Sequence, residues 1–177
     1  MVREQDGRWG TAIEVPGLAA VNAGGSAQIF SVKCATAGSC AAGGSYTAAS
    51  GAQQAFVESE QGGRWGTAIE VPGLAALNTG ANPTNGGAGI TLSCWAAGGC
   101  AAGGGYTDSA GHGQAFVVTE AAGKWGSAIK VPGLAALDTG SDAGIYSVSC
   151  TAAGSCAAGG WYTDGASREQ AFVVSRP

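Results

Sequence analysis

The sequence predicts an all-β protein made of three copies of a four-stranded antiparallel unit. Three observations carry that prediction. A phrase around a tryptophan recurs three times along the 177 residues. A pair of cysteines six positions apart recurs with it. The segments between are short, of period two and bounded by glycine, with little helical periodicity.

Trp9, Trp65 and Trp125 open the three near-copies RWGTAIEVPGLAAVN, RWGTAIEVPGLAALN and KWGSAIKVPGLAALD, spaced 56 and then 60 residues apart. The four extra residues fall in GANPTNGG, Gly80 to Gly87, where Pro and Asn signal a loop. The cysteine pairs follow as Cys34/Cys40, Cys94/Cys100 and Cys150/Cys156. Tyr46, Tyr106 and Tyr162 then come six residues after each second cysteine, and Phe56, Phe116 and Phe172 ten later. One domain, 1–177, is therefore divided into repeats at 4–59, 60–119 and 120–177.

Within a repeat the first strand is IFSVKC, alternating and β-branched, and the second is CAAGGSYT, after a five-residue turn. QAFVESE is the third, and RWGTAIEVP, beyond a glycine-containing turn, is the fourth. PGLAALNTG reads as a loop because of its Pro-Gly opening. The recurring Trp, Tyr and Phe read as core packed between sheets. The sequence opens in a fourth strand and closes in a third. The N-terminal strand is thus expected to complete the C-terminal sheet, which would close a ring and remove exposed edges.

The cysteines allow few chemistries. Structural zinc wants knuckles of two to four intervening residues in pairs, whereas here five intervene and His112 is the single histidine. A redox pair wants C-x-x-C at a helix start. A disulfide across a hairpin fits, since facing strands bring the two Cα atoms within reach, with unpaired buried thiols as the other reading. The bridge implies an oxidising compartment. The glycine pairs Gly43-Gly44, Gly103-Gly104 and Gly159-Gly160 lack the pattern of a phosphate loop and indicate close backbone approach.

Composition excludes other classes. Charged residues are only 11%, hydrophobic ones 45%, and Gly numbers 33, unlike a disordered chain. A net charge of −4 with eight scattered basic residues argues against nucleic acid. No apolar run spans a bilayer, and MVREQDGRWG holds no signal peptide, so no membrane insertion is expected. Catalysis finds little support. Glu14 and Glu70 are matched by Lys130. Glu4, Glu60 and Glu120 read as turn acids that are solvated or cap a neighbour, and no pair of carboxylates marks a glycosidase. Asp138 and Asp142 lack the EF-hand spacing. No enzyme, cofactor or metal site is expected.

SVSCTAAGSCAAGGWYTD…EQAFVV together with GKWGSAIKVPG resembles the Cys-containing four-stranded β-propeller repeats of secreted bacterial proteins, over essentially the whole chain. The resemblance implies three propeller blades. Propellers usually have four to eight, so it implies a homodimer completing a six-bladed ring, with a threefold β-prism or a fragment of a larger propeller as alternatives. In a four-stranded blade the loops joining strand four to one and strand two to three share a face. Here that face would carry Asn82, Asn85, Asp108, His112, Asp142, Asp164 and Arg168. Trp95 and Trp161 stand where the other repeats carry small or slight residues, which makes them candidates for exposed contacts. Asn, Asp and an aromatic together suit hydroxyl-rich ligands. The expected function is a non-catalytic binding module, secreted or at the cell surface, lectin-like and with glycans as partners. The rival is a structural or protein-interaction scaffold.

Overall fold

A computed structural model describes residues 4–5, 7–80 and 89–175, with only the backbone of Glu4 and Gln5. The chain is all-β, with three antiparallel sheets built alike. Strands β1 (Glu4–Gln5) and β2 (Arg8–Trp9) form a small N-terminal hairpin. The first sheet contains β3 (Ala27–Thr36), β4 (Ser39–Thr47) and β5 (Gln53–Gln61), with β6 (Arg64–Trp65) and β7 (Ile69–Glu70) both on β5. The second contains β8 (Ile90–Ala96), β9 (Gly99–Thr107) and β10 (Gly113–Ala121), with β11 (Lys124–Trp125) and β12 (Ile129–Lys130) on β10. The third contains β13 (Ala143–Ala152), β14 (Ser155–Thr163) and β15 (Glu169–Ser175).

Three expectations change. The fourth strand is split in two, because Gly66 and Gly126 leave the ladder while donating to Ser59 and Thr119 carbonyls. The third sheet has three strands among the described residues, and β2 pairs with β1 rather than with β15, so the expected closure within the chain does not form. The PGLAAL segments are also not plain loops. Each makes one helical turn, at Leu18–Val21, Leu74–Ala76 and Leu134–Ala136, after a glycine with φ near +77°. A left-handed residue suits glycine, and the leucine that follows is buried each time.

The sheets stack face to face. One apolar cluster joins Ala41, Val57 and Val71 of the first sheet to Ile90, Leu92 and Phe116 of the second. Another joins Ala101, Ala115 and Leu134 of the second to Ile145, Val148 and Phe172 of the third. The first glycine of the pairs in the first two sheets sets the spacing. A Cβ on Gly43 would lie 2.8 Å from both Ile90 and Leu92, and one on Gly103 would lie 2.8 Å from Ile145. The second glycine sets the hairpin, since a Cβ on Gly44 would run into the Gln28 carbonyl oxygen and the Phe56 ring.

All three cysteine pairs are disulfides. Cys34 is bonded to Cys40, Cys94 to Cys100 and Cys150 to Cys156, with Cα separations of 3.9, 4.0 and 4.1 Å. Each bridge joins residues directly opposite one another on the first two strands of a sheet. No cysteine is free, so the alternative of unpaired buried thiols falls away. The bridges place folding in an oxidising environment. No helix among the described residues is long and apolar enough to cross a membrane.

Gly44→Ala is expected to destabilise the fold by about 1–3 kcal/mol, read as a lower urea midpoint. Reducing the bridges should remove roughly 2 kcal/mol per short loop, seen as a drop in Tm with dithiothreitol.

Candidate functional site

The three first strands lie side by side, and their bulges differ. In β3 and β13 the register slips by one residue, between Ile29 and Ser31 and between Ile145 and Ser147, leaving Phe30 and Tyr146 as the extra residues. In β8, Ile90 and Thr91 stay in register with Gly104 and Gly103. A flat strand therefore runs between two bulged ones. An inserted residue re-aims its side chain out of the ladder, and Phe30 and Tyr146 are exposed at 48% and 70%.

The result is a groove of about 590 Å³ floored by Ile90 and Thr91 and walled by Phe30 on one side and Tyr146 and Trp161 on the other. The Tyr146 and Trp161 rings stand 6.5 Å apart at a 33° tilt. Ser31, Lys33 and Thr91 also line the groove, and Ser31 Oγ accepts from the Leu92 amide. Apolar ring faces beside hydrogen-bonding groups can hold a ligand that is flat and apolar on one side and polar at its rim. Among the described residues no cluster of His, Cys, Asp and Glu could hold a metal ion.

The six cysteines serve the scaffold, and none of them lines the groove. Cys100 is buried in the core between the first and second sheets, whereas its counterparts Cys40 and Cys156 are half-buried. The middle sheet is covered on both faces, which accounts for that difference between equivalent positions.

The two candidate tryptophans part company. Trp161 lines the groove, whereas Trp95 packs against the cluster between the second and third sheets, its indole close over Gly99. The candidate acids sit in their own turns. Asp108 Oδ1 accepts from the backbone N–H of Ala110 and His112, and its Oδ2 is 3.6 Å from His112 Nδ1. Asp164 Oδ1 accepts likewise from Ala166 and Arg168, while its Oδ2 takes the Arg168 guanidinium at 2.9 Å and Gln170 Nε2 at 3.3 Å. Hydrogen bonds from Arg168 hold this carboxyl down, at about 2. Both aspartates thus build Asx turns of their hairpins. Asp142 is exposed as a residue but its carboxylate lies over Gly113, and that partial cover, with the charges of Asp138 and Glu169, raises its pKa. Asn82 and Asn85 lie outside the described residues.

The shared face itself is present. The Gly24, Gly80 and Gly140 amides donate to the carbonyls of Thr47, Thr107 and Thr163, joining the loop before each first strand to the end of the second. Asn78 locks it across repeats, donating to the Gln53 carbonyl and Gln54 Oε1 while accepting from the Thr107 amide.

The turn acids and tryptophans need correction. Glu60 and Glu120 are buried rather than solvated. Glu120 Oε1 accepts from Ser59 Oγ at 2.6 Å, and Ser59 Oγ accepts from Trp125 Nε1 at 3.1 Å, so the acid joins the second sheet to the first. Trp125 packs against the core as expected, but Trp9 is 73% exposed.

Phe30 and Tyr146 were missed, although a signal exists. Isoleucine and cysteine are five residues apart in repeats one and three, Ile29 to Cys34 and Ile145 to Cys150, and four apart in repeat two, Ile90 to Cys94. That single extra residue is the bulge. No protein-family model matches this chain, and no curated protein matches it either.

Glu58 is a second feature outside the repeat pattern, standing where the other repeats have Val118 and Val174. It is fully buried, neither carboxylate oxygen has a hydrogen-bond partner, and burial pushes its pKa up to about 7. The unfolded chain ionises nearer the ordinary value of 4.5. Between these values the folded state holds a proton the unfolded state has lost, so stability falls as pH rises through that window. Glu58→Val should stabilise the protein at pH 8 by on the order of 2–3 kcal/mol and flatten the pH dependence, measured by urea melts at pH 4.5 and 8.

Proposed function

We propose that this protein is a non-catalytic binding module, secreted or held at a cell surface, whose groove across β3, β8 and β13 takes carbohydrate in the manner of a lectin. The observation that carries the reading is the pair of bulged aromatics, Phe30 and Tyr146, set around a recessed strand beside Trp161. A sugar ring presents C–H groups on one face and hydroxyls at its edge. The aromatic wall suits the first, and Ser31, Thr91 and Lys33 suit the second. The disulfides support an extracellular setting. In this reading each sheet is a propeller blade of the kind found in secreted bacterial proteins, and the chain is half of a six-bladed ring, with the β-prism as the alternative closure.

A structural or protein-interaction scaffold is the second reading. It is favoured by apolar side chains left exposed at both ends of the stack, Ile29 and Val32 on the first sheet and Val173 on the third.

The test is a glycan array with the non-reduced protein, followed by titration of any hit. Sugar binding should weaken about tenfold, the equivalent of roughly 1.4 kcal/mol, on Tyr146→Ala or on Trp161→Ala. Trp161→Phe should keep most of it, and Trp95→Phe should change nothing. A blank array from folded protein would move the function to the scaffold.

A further inference from the structure

The largely apolar cavity of about 360 Å³ between the second and third sheets lies beside Val117, Thr119, Ile129, Ala157 and Val174. Its counterpart one repeat earlier, beside Val57, Ser59 and Ile69, is lined by Trp125. There the indole N–H reaches Ser59 Oγ. Thr119 is the matching hydroxyl of the next repeat, and no tryptophan lines its cavity. Among the described residues β15 pairs only with β14, where β5 and β10 each carry two further short strands. Meanwhile Trp9 stands exposed in Arg8–Pro16, the segment whose copies at 64–72 and 124–132 fill those places.

A second deficit matches the first. Ile90 and Leu92 seat on Gly43, and Ile145 and Val148 seat on Gly103. On the third sheet Gly159 meets no atom of another sheet within 4 Å, and its opposite residue Val173 is 87% exposed. At the other end of the stack Ile29 and Val32, the counterparts of the seated residues, are exposed. The chain thus ends in two surfaces that it already joins to each other twice internally.

We propose that the third sheet is completed by a second copy of this chain, which inserts Arg8–Pro16 along β15 and seats Ile29 and Val32 over Gly159. The proposal rests on the reading of the chain as half of a ring and specifies its contact, and it stands whether or not the groove takes a sugar. The occupant is set by continuity with the interfaces inside the chain. A surface complementary to a different patch of the same molecule makes a head-to-tail contact, which closes if the rotation allows, and here two chains close with two identical contacts.

The internal ladders supply the register. Val57 faces Ile69 and Val117 faces Ile129, while Phe56 faces Glu70 and Phe116 faces Lys130. Carried over, Ile13 of the second copy faces Val173 and its Glu14 faces Phe172. The Gly66 and Val71 amides donate to the Ser59 and Ala55 carbonyls, so Gly10 and Val15 would donate to Ser175 and Ala171. Tyr46 Oη donates to Glu70 Oε2 at 2.9 Å, a contact repeat two loses because Lys130 replaces the acid and leaves Tyr106 Oη without a partner. Glu14 would restore it with Tyr162. Docking exchanges the ladder of β1 and β2, and the interaction that Ile13 has within its own chain, for this edge.

The test uses the full 177-residue chain. Native mass spectrometry and light scattering at micromolar concentration should give twice the chain mass. Val173→Asp, at a position exposed in the single chain, should return it to one chain with unchanged circular dichroism. Chains carrying Ile13→Cys and Val173→Cys, mixed and oxidised, should form a covalent pair on a non-reducing gel, and neither alone should do so. A single-chain mass for the unaltered protein would overturn the proposal. So would a mixture that does not cross-link, or a chain carrying both cysteines that links only to itself.

Discussion

The close approach of one sheet to the next governs this structure. Gly43 and Gly103 have no side chain, so the isoleucines of the following repeat rest directly on the strand. A methyl group there would lie within 2.8 Å of its neighbours, well inside ordinary contact distance. Close stacking turns a set of small residues, many of them alanine, into a buried core, because dispersion and hydrophobic gain depend on contact rather than on side-chain size alone. It also explains why a chain with 33 glycines can hold three sheets in register. Where the entropic cost of glycine is high, the cross-strand bridges Cys34–Cys40, Cys94–Cys100 and Cys150–Cys156 limit the freedom of the unfolded chain.

Polar groups are placed at the joints between layers rather than inside them. Asn78 ties the third strand of one sheet to the second strand of the next, and Ser59 ties the third strand of the first sheet to Glu120 and Trp125 on the third and fourth strands of the second. Such groups gain from direction more than from energy, since a net hydrogen bond contributes only about 1 kcal/mol. They set the register of one layer upon another, which apolar contact alone leaves loose. Glu58 breaks this rule, as a buried acid with no partner in the one repeat that differs from valine.

Variation on the repeat shapes both the groove and the open edge of the stack. The extra residues Phe30 and Tyr146 convert two of three equivalent strands into walls, and the third remains a floor. Likewise, among the described residues two of the three sheets carry split fourth strands, and the third leaves one edge open beside an apolar cavity. A repeat scaffold makes such departures conspicuous, because the unmodified version is present in the same molecule.

The amino-acid pattern by itself determined the all-β class, the three units, the strands within them and the cysteine bridges. Each of these depends on short-range periodicity or on residues six apart, which a hairpin brings face to face whatever surrounds it. Tertiary structure alone decided which aromatics are buried. Trp9, Trp65 and Trp125 share one local sequence, yet Trp125 packs against the core and Trp9 is open to solvent, because burial depends on whether another layer follows. The same holds for Asp108 and Asp164. Their sequence context suggests ligand contacts, and their carboxylates instead close the turns they sit in. The groove required both levels. The one-residue difference in Ile-to-Cys spacing is written in the chain, but only the stacking of β3, β8 and β13 sets two bulges on either side of a flat strand.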